Sequence, residues 1–358
     1  MMRHPFKKST IVIAMLLSGL TTTSPIFAAD KGMAYVSNQN GDVSVIDLDS
    51  FTVSGSINID AKSPRGIGIT ADGKSLVTAN KDDGNISVID IPSGKFSKHI
   101  AIGKNPEFVR VVGDRAYVSY EPSSKGGPPQ KPGDSTKEDA DDDNGPQERA
   151  RIAIVDLNKG KVIKEIIGGP ETEGIEFSKN GKKLIITNEA DNTITIHDLK
   201  SGKLLKSVPT SKFGERPRGI KVSPDGKFAV TTLELSNKLL ILDAKFNPVK
   251  AIETGQAPYG VAFDREGKRL FVAATKAKLL QVFDANSFEL IKNITVSERC
   301  WHFTFTPDES QLLLACGKSD EILVIDAKKL EVTKHIANKD TPWGIVTYPK
   351  SMGSLDRP

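Results

Sequence analysis

The sequence predicts an all-β fold, a seven-bladed β-propeller of four-stranded antiparallel blades. Three observations support this: a recurring β segment, turn signals between the predicted strands, and seven predicted innermost strands. The recurring segment ends in an apolar residue followed by aspartate, at intervals of 41 to 45 residues except for one of 66. Its seven final residues are Asp47, Asp90, Asp156, Asp198, Asp243, Asp284 and Asp326.

A turn signal lies between the first two predicted strands of most repeats. In the first complete repeat, the innermost strand from Gly66 is followed by the dipeptide Asp72-Gly73. Such Asp-Gly and Asn-Gly dipeptides favour the tight turns of β-hairpins. The equivalent positions hold Asn180-Gly181, Asp225-Gly226, Glu266-Gly267 and Asp308-Glu309.

The predicted strands close into a ring. Seven innermost strands begin near Gly66, Phe108, Gly174, Gly219, Gly260, His302 and Gly344. The last has no partner strands after it, whereas the N-terminal strands have no innermost strand before them. Pairing the N-terminal strands with the C-terminal strand removes both exposed edges. We therefore expect one propeller over residues 29–350, followed by a tail over residues 351–358.

The N-terminus predicts export to the periplasm. Arg3, Lys7 and Lys8 precede a short apolar run over residues 11–20, and cleavage is expected after residue 28 or 29. The rest of the chain has no apolar segment of membrane-spanning length, so we expect no membrane embedding. The formal net charge of +4 falls to about +1 without residues 1–28. A nearly neutral chain lacks a general electrostatic attraction for nucleic acid.

The interval of 66 residues contains an insertion over residues 121–149 that is rich in Pro, Gly and charged residues. Such a composition predicts a disordered loop, and the propeller topology places it beside one mouth of the central channel. Asp139, Asp141 and Asp143 offer carboxylate oxygens for a Ca²⁺ ion, although their spacing departs from the EF-hand pattern. The alternative is a solvated acidic tether.

The chain resembles the YVTN β-propeller repeat family over essentially the whole mature sequence, through the segments AYVSNQNGDVSVIDLDS, SLVTANKDDGNISVIDIPSGK and PRGIGITADGK. The resemblance implies the propeller fold, but it is a weak guide to function because one fold serves many functions.

One variable residue precedes each innermost strand, usually between Pro and Gly, and the propeller fold places these residues around one mouth of the channel. Flat aromatic faces with flanking guanidinium groups suit a planar anionic ligand. The alternative is that the Arg and Glu side chains only satisfy one another around water. The predicted ligand-binding residues are Arg65, Glu107, Glu173, Arg218, Tyr259, Trp301, His302 and Trp343.

The order of these mouth residues resembles the propellers associated with PQQ-dependent alcohol catabolism, through the segments PRGI, NPEF, TEGIEFSKNG, RPRGI, CWHFTFTPD and PWGI. Tyr259, His302 and the insertion depart from that pattern. The resemblance implies a planar anionic ligand such as PQQ, a tricarboxylate, as a hypothesis for an otherwise unknown cofactor.

The two cysteines, Cys300 and Cys316, lie symmetrically about the turn at Asp308. Residues placed in this way face each other across two antiparallel strands, which predicts a disulfide, with a pair of buried thiols as the alternative. No two histidines share the spacing of metal ligands. His302 takes the place of a glycine at the mouth, either as a site residue or as a hydrogen-bonded lining of the channel.

The function expected from these residues is a non-enzymatic periplasmic binding or accessory protein. It would hold a partner protein or a small-molecule ligand at the channel mouth, in a process linked to PQQ-dependent oxidation. One alternative is a propeller-type enzyme, a lactonase or lyase, for which Glu107, Glu173 and His302 are the candidate groups. Another is a weak nucleic-acid binder that uses arginines near the mouth.

Overall fold

The computed structural model describes residues 31–121 and 149–358, besides Met1. The predicted signal segment, and Asp139, Asp141 and Asp143 of the insertion, lie outside the described residues, so export and calcium binding remain predictions. Within the described ranges, no helix is long and apolar enough to cross a membrane.

The described residues form seven four-stranded antiparallel sheets, which are the blades of a propeller. Blade I begins with β1 (Met33–Asn38), β2 (Val43–Asp47) and β3 (Thr52–Ile57). Blade II contains β4 (Pro64–Ile69), β5 (Ser75–Asn80), β6 (Asn85–Asp90) and β7 (Lys95–Ala101). Blade III contains β8 (Val109–Val112), β9 (Arg115–Tyr120), β10 (Arg151–Asp156) and β11 (Lys161–Ile167). Blade IV contains β12 (Thr172–Phe177), β13 (Lys183–Asn188), β14 (Thr193–Asp198) and β15 (Leu204–Pro209).

The remaining blades repeat the same order of strands. Blade V contains β16 (Pro217–Val222), β17 (Phe228–Leu233), β18 (Lys238–Asp243) and β19 (Pro248–Glu253). Blade VI contains β20 (Pro258–Phe263), β21 (Arg269–Ala274), β22 (Leu279–Asp284) and β23 (Leu290–Thr295). Blade VII contains β24 (Cys300–Phe305), β25 (Gln311–Cys316), β26 (Glu321–Asp326) and β27 (Glu331–Ala337). The 3-10 helices Glu234–Ser236 and Gly317–Ser319 follow β17 and β25.

The ring closes as the sequence predicts. The last strand, β28 (Pro342–Tyr348), pairs with β1 and completes blade I, with Val346 opposite Tyr35. The N-terminal and C-terminal strands therefore share one sheet, and neither leaves an open edge. The fold is a seven-bladed β-propeller.

The hydrophobic core lies between neighbouring blades. Innermost strands such as β12 and β20 are buried along their whole length, because they face adjacent blades and the channel. Between blades VI and VII, the ring of Phe271 meets that of Phe305 edge to face at 5.1 Å. Outermost strands such as β3 are mostly exposed. This alternation of sheet and apolar layer brings all seven innermost strands to one axis.

The entry to each innermost strand has the same unusual backbone conformation. Two residues before every predicted mouth residue, the chain takes a positive φ near 50–60° without using glycine. This left-handed conformation turns the incoming chain sharply, and tertiary contacts must hold it, since it costs free energy for residues with a Cβ. The seven residues are Ser63, Asn105, Glu171, Arg216, Ala257, Arg299 and Thr341.

The residues after β28 fold back into the channel. The backbone N–H of Phe305 donates to the carbonyl of Met352 at 2.8 Å, and that of Ser354 donates to the carbonyl of Phe303 at 2.8 Å. Leu355 is fully buried. Residues 351–356, which the sequence analysis treats as part of a tail after the propeller, therefore line the central channel.

Candidate functional site at the channel mouth

The structure gathers five of the predicted mouth residues into two contact groups that lie within electrostatic range of each other. Arg65 of blade II pairs with Glu107 of blade III, and Arg218 of blade V pairs with Glu173 of blade IV. The Tyr259 hydroxyl of blade VI donates to Glu173 Oε1 at 3.1 Å. Because these residues come from five blades, only closure of the ring brings them together.

A β-bulge orients the mouth residues. In blade V, the register between β16 and β17 shifts between Pro217 and Ile220, so Arg218 lies in the irregular segment. Blades II, IV, VI and VII shift at the equivalent position. A bulge redirects a side chain out of the regular pleat, here into the channel mouth.

The glycines that follow most mouth residues allow the innermost strands to approach closely. A Cβ on Gly219 would lie 2.5 Å from the carbonyl oxygen of Tyr259, and one on Gly260 would lie 2.3 Å from that of Trp301. Side chains at these positions would force neighbouring blades apart. The Pro-X-Gly pattern is therefore a packing requirement as well as a marker of the site.

Five of the nine charged residues at the mouth were not predicted from the sequence. Glu121, Glu189 and Glu234 each follow the second strand of a blade, and Glu171 and Arg216 occupy two of the left-handed positions. For the first three, the repeated position directly after a second strand is a signal in the sequence. We call the combined set the mouth cluster: Arg65, Glu107, Glu121, Glu171, Glu173, Glu189, Arg216, Arg218, Glu234 and Tyr259.

Arg218 is the centre of the mouth cluster. Its guanidinium group pairs with Glu173 and Glu189, and its Nε donates to Glu234 Oε2 at 2.7 Å. The same guanidinium lies 4.8 Å from the ring centroid of Tyr259. Arg65, in contrast, keeps a buried Nε that has no hydrogen-bond partner within the described parts of the chain.

The environment separates the pKa values of two neighbouring glutamates. Burial and the charge of Glu107 raise the pKa of Glu173 well above its ordinary value. Burial also opposes ionisation of Glu107, but Arg65 and Arg218 outweigh it and hold the pKa of Glu107 below its ordinary value. The pKa values of these two carboxyl groups are therefore shifted in opposite directions, and that of Glu173 is the higher. Such divergence between adjacent carboxyl groups is typical of acid–base sites.

Two further carboxyl groups titrate near neutrality. Burial and the charge of Glu107 raise the pKa of Glu121 to about 7. Burial and the charge of Glu121 raise the pKa of Glu171 to about 7. Glu171 is half-buried as a residue.

The aromatic side of the mouth, formed by Trp301, His302 and Trp343, is closely packed. Trp343 is 2 % exposed, with its ring centroid 4.3 Å from that of His302. Trp301 is half-buried, and its ring covers Gly317. Trp343 therefore offers little ring face for the stacking of a planar ligand such as PQQ.

His302 is hydrogen-bonded to Ser354. Ser354 Oγ accepts from the N–H of Phe303 at 2.9 Å and lies 3.1 Å from the carbonyl oxygen of Phe303. The same hydroxyl shares a hydrogen bond of 3.1 Å with His302 Nδ1, while His302 Nε2 has no hydrogen-bond partner within the described ranges. Burial and the charges of Lys221 and Arg218 lower the pKa of His302 to about 3. His302 is therefore neutral.

The predicted disulfide is confirmed. Cys300 and Cys316 are directly opposite residues of β24 and β25, and they are bonded. Both are almost fully buried beside the aromatic side of the mouth. Within the described ranges, no group of three or more His, Cys, Asp or Glu side chains is arranged to hold a metal ion.

The chain is similar to lactonases with a seven-bladed propeller in one part of its sequence. The family model "Lactonase, 7-bladed beta-propeller" matches residues 175–289, which is less than half of the chain. Antigen Lp49 of Leptospira interrogans serogroup Icterohaemorrhagiae serovar copenhageni (strain Fiocruz L1-130) is 25 % identical over 154 residues. That match covers 38 % of this chain and spans a third (33 %) of the curated relative.

Solved structures share the fold at low sequence identity. A candidate 6-phosphogluconolactonase from Bacteroides uniformis ATCC 8492 has a TM-score of 0.69 and 16 % identity, over 88 % of this chain and 99 % of its own. A protein of unknown function from Desulfotomaculum acetoxidans DSM 771 has a TM-score of 0.69 and 18 % identity, over 88 % and 98 %. Kuenenia stuttgartiensis hydrazine synthase has a TM-score of 0.67 and 18 % identity, over 83 % and 93 %.

These comparisons correct the functional expectation. The lactonase match and the lactonase-type neighbour contradict the expectation of a non-enzymatic binding or accessory protein linked to PQQ-dependent oxidation. They favour the alternative, a propeller-type enzyme. Glu121 and Glu171, whose pKa values are both near 7, were not among the candidate acids and bases predicted from the sequence. Their raised pKa values come from burial and neighbouring charges in the folded protein.

Proposed function

We propose that this propeller is an enzyme that hydrolyses a lactone, a cyclic ester, at the channel mouth. The observation that carries the proposal is the half-buried carboxyl group of Glu171, which has a pKa of about 7 and lies two residues from Glu173, whose pKa is raised well above its ordinary value. A general base works best when its pKa lies near the working pH. The partial match to the lactonase family supports an ester ring as the substrate class.

The proposed reaction begins with attack by water. The Glu171 carboxylate takes a proton from a water molecule as the water oxygen bonds to the lactone carbonyl carbon. The unpartnered Nε of Arg65 then donates to the oxyanion that forms. Arg65 and Glu173 lie within electrostatic range of each other.

Collapse of the tetrahedral intermediate breaks the bond between the carbonyl carbon and the ring oxygen. Glu173 donates its proton to the departing alkoxide, and the product is the open-chain hydroxy acid. Glu173 is restored when the proton taken up by Glu171 returns to it. Glu173 also bonds to Glu189 through a hydrogen bond that favours its protonated form, so a proton is held at this position.

The test is hydrolysis of a panel of γ- and δ-lactones by the mature protein in a pH-stat. We expect kcat/KM to fall about tenfold for each pH unit below about pH 7, where Glu171 becomes protonated. Glu171→Gln should lower kcat by about 100-fold or more. Glu253→Gln is the matched control, because the Glu253 side chain is 79 % exposed on an outermost strand.

Two results would overturn the lactonase proposal. One is that no lactone of the panel opens faster than in buffer alone. The other is that Glu171→Gln and Glu253→Gln retain equal kcat/KM and equal pH profiles.

We also propose that the protein acts in the periplasm after removal of residues 1–28, as a YVTN-repeat propeller. The basic start and short apolar run of the sequence support export. The buried bond between Cys300 and Cys316 supports an oxidising compartment. N-terminal sequencing of the protein from a periplasmic extract tests this, and an intact Met1 in a cytoplasmic fraction would contradict it.

A further inference from the structure

A second set of charged side chains lies deeper in the channel. Glu176, on the same strand as Glu173, is fully buried. It is contacted by Arg357 at 3.1 Å, Arg110 at 3.5 Å and Lys221 at 3.7 Å. We call Arg110, Glu176, Lys221 and Arg357 the channel cluster.

The channel cluster has an excess of positive charge. Three cationic side chains meet one carboxylate. The charge of the neighbouring Asp356 also acts on Lys221, but its ion pair with Lys350 at 3.0 Å brings a further cation, so the excess remains. Burial of unbalanced charge is unfavourable in a medium of low dielectric constant. The cluster therefore requires either an anion or the loss of a proton.

Two cationic donors in the cluster are unused. Within the described ranges, Lys221 Nζ and Arg110 Nε have no hydrogen-bond partner, although the two residues are only 3 % and 2 % exposed. The other guanidinium nitrogens are engaged: Arg110 Nη1 donates to the carbonyl of Leu355 at 2.6 Å. Buried donors of this kind are nearly always satisfied by protein, water or a bound ion.

We propose that the channel cluster binds a small monovalent inorganic anion of halide size, held by Lys221 Nζ and Arg110 Nε. Such an anion supplies the two missing acceptors and offsets the excess charge at once. The inference is independent of the proposed hydrolysis, because it concerns groups that take no part in that reaction.

The electrostatics of Lys221 show what the anion would change. Burial and the charge of Arg110 lower the pKa of Lys221 well below its ordinary value. A bound anion opposes this shift and keeps the ammonium group charged. The competing occupant is a neutral water molecule that bridges Lys221 to Nε2 of His302, whose pKa also responds to the charge of Lys221.

The first experiment locates the anion. Crystals of the mature protein grown in sodium bromide should show an anomalous bromine peak within hydrogen-bond distance of Lys221 Nζ and Arg110 Nε. Absence of the peak, with a water in its place, would overturn the proposal.

The second experiment measures binding in solution by reversible thermal unfolding in potassium bromide against potassium gluconate at equal concentration. Gluconate controls for ionic strength and is too large for the cluster. Bromide at about 100 times its Kd should raise Tm by about 5 °C relative to gluconate. Lys221→Met should abolish that difference, and Lys182→Met, which removes an exposed lysine, should retain it.

A peak in the crystal without a bromide-specific rise in Tm would mean an adventitious ion only. That result, or an equal rise in Lys221→Met and the wild-type protein, would overturn the proposal. If Lys221→Met fails to fold, the difference in Tm of the wild-type protein between bromide and gluconate still tests the proposal, and no difference would overturn it.

Discussion

Two glutamates on one strand, Glu173 and Glu176, have opposite electrostatic environments. Both are buried, and burial opposes ionisation of each. At the mouth, the neighbouring charge of Glu107 adds to burial and raises the pKa of Glu173 well above its ordinary value. Deeper in the channel, the cations Arg357, Arg110 and Lys221 outweigh burial and hold the pKa of Glu176 below its ordinary value.

The difference shows that the sign of the local charge imbalance sets the chemistry of each region. The mouth cluster has six carboxyl groups and three guanidinium groups, so it holds protons. The channel cluster has three cations and one carboxylate, so its glutamate stays ionised. Carboxyl groups with raised pKa values can act as acids and bases near neutral pH, whereas an excess of positive charge favours the binding of an anion.

The largest effect is expected for a pair of substitutions that tests the opposite electrostatic environments of Glu173 and Glu176. Glu176→Gln removes the carboxylate that pairs with all three cations of the channel cluster, so we expect the free energy of unfolding to fall by about 3–5 kcal/mol. Glu173→Gln replaces a carboxyl group of raised pKa by a neutral amide of similar shape, so its loss should stay below about 1 kcal/mol. Urea denaturation at pH 7 measures both. Equal losses would refute the opposite electrostatic environments.

A smaller effect is expected at the ion pair beside Glu173. Glu107→Gln leaves the Arg65 guanidinium without its ionised partner at a partly buried position, which should lower the free energy of unfolding by about 2 kcal/mol. The same urea measurement applies, with Glu253→Gln as the exposed control. A loss equal to that of the control would show that the pair is screened by water.

A further effect depends on pH. The pKa of Glu121 is about 7 in the folded protein against an ordinary value of 4.5, so the folded chain keeps a proton that the unfolded chain loses in this window. Stability therefore falls as pH rises from about 4.5 to about 7, and Glu121→Gln should remove that loss. We expect the variant to gain about 3 kcal/mol over the wild-type protein at pH 8 and little at pH 4. Unchanged pH dependence of Tm would contradict this.

The fold could be predicted because its determinants are local and repeated. The strands ending in Asp47, Asp90 and their equivalents, and the turns at Asp72-Gly73 and Asp225-Gly226, recur in each blade. The disulfide was predictable for the same reason, because a hairpin turn sets the register of Cys300 and Cys316.

The candidate site was only partly predictable. The Pro-X-Gly pattern identified Arg65, Arg218 and their equivalents, because a bulge and a close approach of strands recur there. Glu121 and Glu171 were missed, because a polar residue just after or just before a strand is also typical of an ordinary exposed loop. Their burial comes from neighbouring blades.

The sequence by itself determined the seven blades, the closure of the ring and the cysteine pairing, since these depend on residue order and spacing within a blade. Only the tertiary structure decided which glutamates have raised pKa values and that residues 351–356 line the channel. The physical reason is that the pKa of a buried group depends on the distances to charges from other blades, and sequence spacing does not contain those distances.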